Sequence, residues 1–189
     1  MNPNPETLLK DLPSLMNYLN PAIVFLWRLG LGRLINLWPG LTGRTMILTH
    51  NDRKNNRSIH TPLNYLEIDS VIYCWSFPGN QSEWNTDLIA NPQVEIWLPD
   101  GWFSGVCEVV DKPDQTQELL KTVKLSSRFI EIISNAEKAN PEDLLREYPM
   151  GRITRQSPRT GMNGPGGLAW LWPLIVVLLL GVRPKRRDR

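Results

Sequence analysis

The segment Arg53-Lys54-Asn55-Asn56-Arg57, followed closely by Thr61-Pro62-Leu63, carries three cations within one short polar stretch. Cations on a tight turn can converge on one anion, and turn amides add N–H donors. Phosphate suits such a set, because an Arg fork binds it bidentately and a Lys ammonium acts as a point charge. The same spacing also describes a solvated basic turn, and both readings stand. A second stretch runs from Ser76 through Trp84 to Asn91-Pro92. A Gly-containing loop ahead of a short helix leaves amides without intrahelical partners at the helix start. Trp84 is either a stacking wall for a flat ring or a core residue of a short amphipathic helix. Cys74 and Cys107 lie in strand-like apolar surroundings and read as buried reduced thiols. With His50 and His60 as the only histidines, and no ligand spacing, no metal centre is expected.

The elements that must position these residues are mostly strands. RTMILTH (44–50) alternates and is β-branched, and the Asn- and Asp-rich NDRKNNR after it tolerates a tight reversal. SIHTPLNYL and VIYCWSF follow as strands about the turn EIDS. SEWNTDLIANP reads as a short helix, with Ser82 at its N-cap and Asn91-Pro92 as its stop. QVEIWL, the turn PDG and WFSGVCEVV form a hairpin. Residues 114–134 have helical periodicity, PEDLLREY begins a second helix at Pro141, and GRITRQ supplies a last strand. Short links between strands favour an antiparallel barrel over a doubly wound sheet. SPRTGMNGPGG has the composition of a flexible linker.

The ends carry the apolar mass. Eight Trp is high for 189 residues, and Trp27, Trp38, Trp84, Trp102, Trp170 and Trp172 adjoin apolar or Gly-rich stretches. AIVFLWRLGLGRLINLW (22–38) contains Arg28 and Arg33, which are costly at a bilayer centre. It reads as an amphipathic helix lying on a surface, as a helix packed on its own barrel, or as both. Leu168 to Val182 is uncharged, with Trp170 and Trp172 at one end and the basic RPKRRDR after it. These are interface anchors, although 15 residues of helix reach only about 22 Å against a hydrocarbon core of roughly 30 Å. Insertion in a membrane is the favoured expectation; the alternative is a helix docked on the barrel. A full span would leave the basic tail cytosolic and the barrel outside, whereas embedding from one face keeps both on the cytoplasmic side. The N-terminus lacks the pattern of a signal peptide, and a net charge of +2 demands no nucleic-acid partner.

Taken together, LTHNDRKNNRSIHTPLNYL and SFPGNQSEWNTDLIANPQV resemble the deazaflavin-dependent nitroreductase and quinone reductase family in order, spacing and strand context. WRLGLGRL is similar to that family's opening helix, and the resemblance covers roughly residues 22 to 172. Four positions depart from the pattern: Asp52 replaces a leading Gly, Asn55-Asn56 replace Ser-Gly, and Asp87 stands where an Asn precedes Leu.

The resemblance implies a mainly β fold, a split β-barrel of the FMN-binding-like kind with flanking helices, here joined to a C-terminal apolar helix. It implies coenzyme F-420 (8-hydroxy-5-deazaflavin) as cofactor, with FMN as runner-up. Arg53 and Lys54 would hold its phosphate and Arg57 its acidic tail. Thr61, Pro62 and Leu63 would line the ring's approach, with Ser76 and Trp84 beside it. The implied activity is hydride transfer to a quinone or nitro compound. Ser76 would steady the charge developing on the acceptor oxygen, and Tyr148 would donate a proton. The corresponding division is a lead over 1–21, a reductase domain over 22–157, a linker over 158–167, a membrane-associated helix over 168–182 and a basic tail over 183–189. Membrane lipid is the expected partner of 168–182, and the resemblance allows a homodimer. The departures at Asp52, Asn55 and Asn56 favour an alternative: a membrane-tethered flavin- or haem-binding protein without reductase activity.

Overall fold

The computed structural model describes residues 19–37, 43–75, 84–110 and 150–181, without the side chains of residues 178–181. Six strands close into an antiparallel barrel in the order β1-β2-β3-β6-β5-β4. They are β1 (Arg44–Asn51), β2 (Ser58–Ile68), β3 (Val71–Trp75), β4 (Gln93–Leu98), β5 (Gly101–Val110) and β6 (Met150–Pro158). The chain is therefore mainly β with few helices, in agreement with the split-barrel expectation. All six alternating segments are strands at nearly the boundaries read from the sequence. The expected helices over 114–134 and from Pro141, with Ser76, Ser82 and Tyr148, lie outside the described residues.

The turns explain the register. In the six-residue link between β1 and β2, Asp52 Oδ1 accepts from the Lys54 amide at 2.8 Å and Oδ2 accepts from the Asn55 side chain at 2.7 Å. The Asp52 carbonyl accepts from the Asn56 amide at 2.8 Å, and Asn56 takes φ +51, a value Asn tolerates better than most residues. Asp52 is thus the brace of the turn. Asp69 and Ser70, at φ +50 and +67, make the tight two-residue reversal between β2 and β3. This is shorter than the EIDS turn read from sequence, because Glu67 and Ile68 still pair with β3.

Alternation then sorts the side chains. Met46, Leu48, Leu63, Tyr65, Ile72, Cys74, Val94, Ile96, Leu98, Cys107 and Ile153 face the barrel core. A short helix, counted below as α3 (Trp84–Ala90), inserts Trp84 and Leu88 into the same core. A Cβ at Gly151 would lie 2.8 Å from Cys107 Sγ and 3.0 Å from Cys74 Sγ, so glycine is required where β6 crosses the cysteines.

A second apolar cluster lies outside the barrel. The first helix, α1, is helical over residues 19–28, and its Trp27 packs with Ile47 of β1 and Trp97 of β4. It ends in a Schellman motif: Gly30 has φ +85, its amide bonds Trp27 O, and the Leu31 amide bonds Leu26 O. The next helix, α2 (Gly32–Ile35), is held by Asn36, whose side chain bonds both the carbonyl and the amide of Thr45. The helix is packed on its own barrel, with Phe25 49% exposed on its other side.

After β6 the chain returns to α1. Amides of Gly166 and Leu168 bond the carbonyls of Trp27 and Arg28 at 3.0 and 2.8 Å. A 3-10 turn, Ala169–Leu171, leads into α4 (Trp172–Gly181), and Trp172 Nε1 donates to Leu29 O at 3.0 Å. The Gly-rich stretch read as a linker touches Trp102 at Gly164, which leaves no room for a Cβ, and bonds to α1 from Gly166, while residues 157–163 are exposed. Among the described residues no helix is long and apolar enough to cross a membrane.

Candidate functional site

Strand alternation places two polar groups back to back at one end of the barrel. Inward-facing His50, Thr61 and Asp87 are 3%, 5% and 3% exposed. His50 Nε2 and Thr61 Oγ1 are 3.2 Å apart, and His50 Nδ1 lies 3.3 Å from Asp87 Oδ2. Nδ1 has no aligned hydrogen-bond partner among the described residues, so the Asp87 contact is electrostatic. Burial pulls the His50 pKa below its ordinary value of 6.5, with Asp87 and then Asp52 pulling the other way. Asp87 also accepts from the Arg53 amide at 3.4 Å and approaches Arg53 Nε at 3.8 Å. It ties α3 to the basic turn.

Outward-facing residues of the same strands form a groove of about 580 Å³. The fully buried Trp97 backs it, with the His60 ring tilted against Trp97, centroids 4.9 Å apart. His60 Nδ1 is 2.9 Å from Thr49 Oγ1. Burial, then the charge of Arg28, lowers the His60 pKa, which favours the neutral ring. On the far side Glu95 accepts from Trp102 Nε1 at 3.0 Å and from Arg159 Nη2 at 2.6 Å. Arg159 also lies over the Trp102 ring, 5.8 Å from its centroid. Arg28 of α1 and Asn163 close the groove from the two terminal segments. Arg28 Nε and Trp97 Nε1 are buried without a hydrogen-bond partner among the described residues. The groove opens at Asn51 and Ser58, the strand residues that flank the basic turn.

The residues singled out in the sequence divide between these places. Arg53, Lys54 and Arg57 are exposed on the turn at the groove's end. Thr61 and Leu63 turn their side chains into the barrel, so only their backbone borders its outer surface. Pro62 is buried opposite Ile47 of β1. Trp84 is fully buried in the core cluster, which realises its packing reading. Ser76 and Tyr148 lie outside the described residues. Of the groove residues, Trp102 had been singled out among the Trp that adjoin apolar or Gly-rich stretches, while Arg28, Thr49, His60, Glu95, Trp97 and Arg159 were not read as site residues. Their signal was the polar and aromatic phase of each alternating strand, opposite the aliphatic one.

A flat aromatic group carrying negative charge fits this donor set. The His60 and Trp102 rings line the groove between Arg28 and Arg159, with the fully buried Trp97 behind them, and its lining reaches the strand ends that flank the basic turn.

No family model and no curated protein matches the chain. Solved structures similar to it include HutZ, the heme storage protein from Vibrio cholerae, at 15% identity, covering 69% of this chain and 87% of that one with a TM-score of 0.45. A FAD-binding protein from Mesorhizobium loti is similar at 16% identity over 66% and 89%, with a TM-score of 0.41. An F420-H2 dependent reductase, FDR-A, is similar at 12% identity over 58% and 92%, with a TM-score of 0.45.

Proposed function

We propose that the chain is an oxidoreductase that binds coenzyme F-420 in the outer groove and passes hydride to a quinone or nitro compound at a membrane. The observation that carries this reading is the continuity of the groove. Its lining runs from the His60 and Trp102 rings, backed by the buried Trp97, to Asn51 and Ser58, the strand residues next to the cationic turn. A flat ring with a phosphate-bearing, acidic tail has that order of parts. The reduced cofactor supplies the hydride when bound. Arg28 and Arg159 hold negative charge at the groove's edges, and the turn cations Arg53, Lys54 and Arg57 hold the phosphate and tail. Ser76 steadies negative charge on the acceptor oxygen, and Tyr148 supplies the proton. The barrel faces the cytoplasm, where the cofactor is made available, and the chain pairs as a homodimer.

A second reading, a flavin- or haem-binding protein without reductase activity, is favoured by one specific observation. Two amides of the turn, those of Arg53 and Lys54, already donate to Asp87 and Asp52. The turn's own acids thereby compete with an incoming phosphate.

Titration of the full chain in mild detergent with coenzyme F-420, FMN and haem separates the two. Micromolar F-420 affinity that falls about tenfold in Lys54→Ala and again in Arg28→Ala supports the reductase, since a charged contact is worth roughly 1.5–3 kcal/mol. Quinone reduction is then the next assay. Binding of FMN or haem alone moves the chain to the second reading, and binding of none of the three overturns both.

A further inference from the structure

Two helices of this chain are largely apolar. Over residues 19–28 the polar side chains are Asn20 and, at the end that meets the groove, Arg28, and Trp172–Gly181 has no charged, amide or hydroxyl side chain. A helix apolar all round belongs inside a protein or in lipid. Here each has an open side. α1 turns Ile23, Val24 and Trp27 to the barrel and leaves Leu19 and Phe25 40% and 49% exposed. Leu34 of α2 and Leu37 after it are 53% and 58% exposed. Beyond the 3-10 turn, Leu174 and Val177 are 62% and 69% exposed, and Trp170 is 62% exposed.

These surfaces come from opposite ends of the chain, but they form one body. The bonds from Gly166, Leu168 and Trp172 to Trp27, Arg28 and Leu29 fasten the root of α4 to the end of α1. Charge selects the occupant. Arg33 is exposed beside Leu34, and Arg183, Lys185, Arg186, Arg187 and Arg189 follow α4 against a single acid, Asp188. Anionic lipid headgroups complement that set. A second copy would bring like charges together. The ten described residues of α4 span about 15 Å, half the roughly 30 Å hydrocarbon core.

We infer that α1–α2 and α4 form one composite docking face that embeds in a single leaflet of an anionic membrane. The inference rests on the membrane location proposed above and assigns half of the attachment to the N-terminal helices. The test is sedimentation of the full chain with vesicles of phosphatidylcholine, alone or mixed with phosphatidylserine. It compares Phe25→Ser/Leu34→Ser, Leu174→Ser/Val177→Ser and all four changes together, each checked for fold by circular dichroism. Wild type should partition onto the mixed vesicles more strongly than onto the neutral ones. Each pair should lower its partition coefficient about tenfold or more, and the four together should abolish binding. Loss with the α4 pair alone, the N-terminal pair having no effect, would overturn the composite face and leave the membrane location standing. Failure of wild type to bind either vesicle would overturn the location itself. If the N-terminal pair dissociates a dimer in analytical ultracentrifugation and leaves vesicle binding unchanged, the face belongs to a second copy and the inference is wrong.

Discussion

Replacing His50 by Gln should make the fold less sensitive to mild acid. His50 is 3% exposed, and burial is the largest influence on its pKa, lowering it from 6.5. In the unfolded chain the imidazole titrates at its ordinary value. Between the depressed native pKa and that value, the unfolded state therefore holds more protons. Stability is full above the unfolded pKa and is lost as pH falls below it, at a limiting slope of about 1.4 kcal/mol per pH unit. Going from about pH 7.5 to about pH 5.5, the His50 contribution is at most ~1.4 kcal/mol, because the unfolded group is only partly protonated over the first unit. His60 acts in the same direction, its pKa lowered by burial and by Arg28. Urea unfolding at both pH values should show the wild-type loss, with His50→Gln losing the smaller remainder due to His60. Asp87→Asn removes the main influence that holds the His50 pKa up, so its acid loss should be deeper than wild type. That variant should also cost about 1–3 kcal/mol at the higher pH, through loss of the charged acceptor for Arg53. If His50→Gln and wild type lose the same stability on acidification, the buried imidazole is not the sensor and the reasoning fails.

Gly151→Ala should destabilise by about 1–3 kcal/mol through overpacking, and Cys107→Ala should restore part of that loss in the double variant. Chemical denaturation of the full cycle measures it, and strict additivity would sink the steric argument. Ser70→Gly, at φ +67 in the β2–β3 reversal, should gain about 1 kcal/mol and raise the thermal midpoint, read by calorimetry. Glu95→Gln weakens the acceptor that holds Arg159 and Trp102. Inorganic pyrophosphate or a sulfonated dye should then bind the groove more tightly, by isothermal titration, and unchanged affinity would mean that Glu95 does not compete for these cations.

The barrel was legible because each strand writes its own period. In β1, Met46 and Leu48 alternate with Ile47 and Thr49, and the Pro-Asp-Gly and Asn-rich reversals separate the runs. The groove was not legible, because its residues come from four strands and both terminal segments. Only the register Thr49↔His60 and Ile47↔Trp97 brings them side by side. The partners of Asp52 and Asp87 were hidden for a related reason: sequence shows them only as departures from the family pattern, since the groups they hold are set by the turn and by the helix packing. In the fold Asp52 is occupied by backbone and Asn55 donors, and Asp87 by His50 and Arg53. Trp84 had two readings, and burial beside the cysteines realised the packing one.

The strand order has a consequence for synthesis. β6 is the last strand in the chain among those described, but it sits between β3 and β5 and pairs with both along most of its length. A nascent chain that has emerged through β5 can assemble β1 to β5 as an open sheet with its two edges unpaired. Such edges invite pairing with other chains. Ring closure waits for residues 150–158, so translation that stalls in the stretch before Met150 should yield an aggregating fragment rather than a shortened, functional barrel.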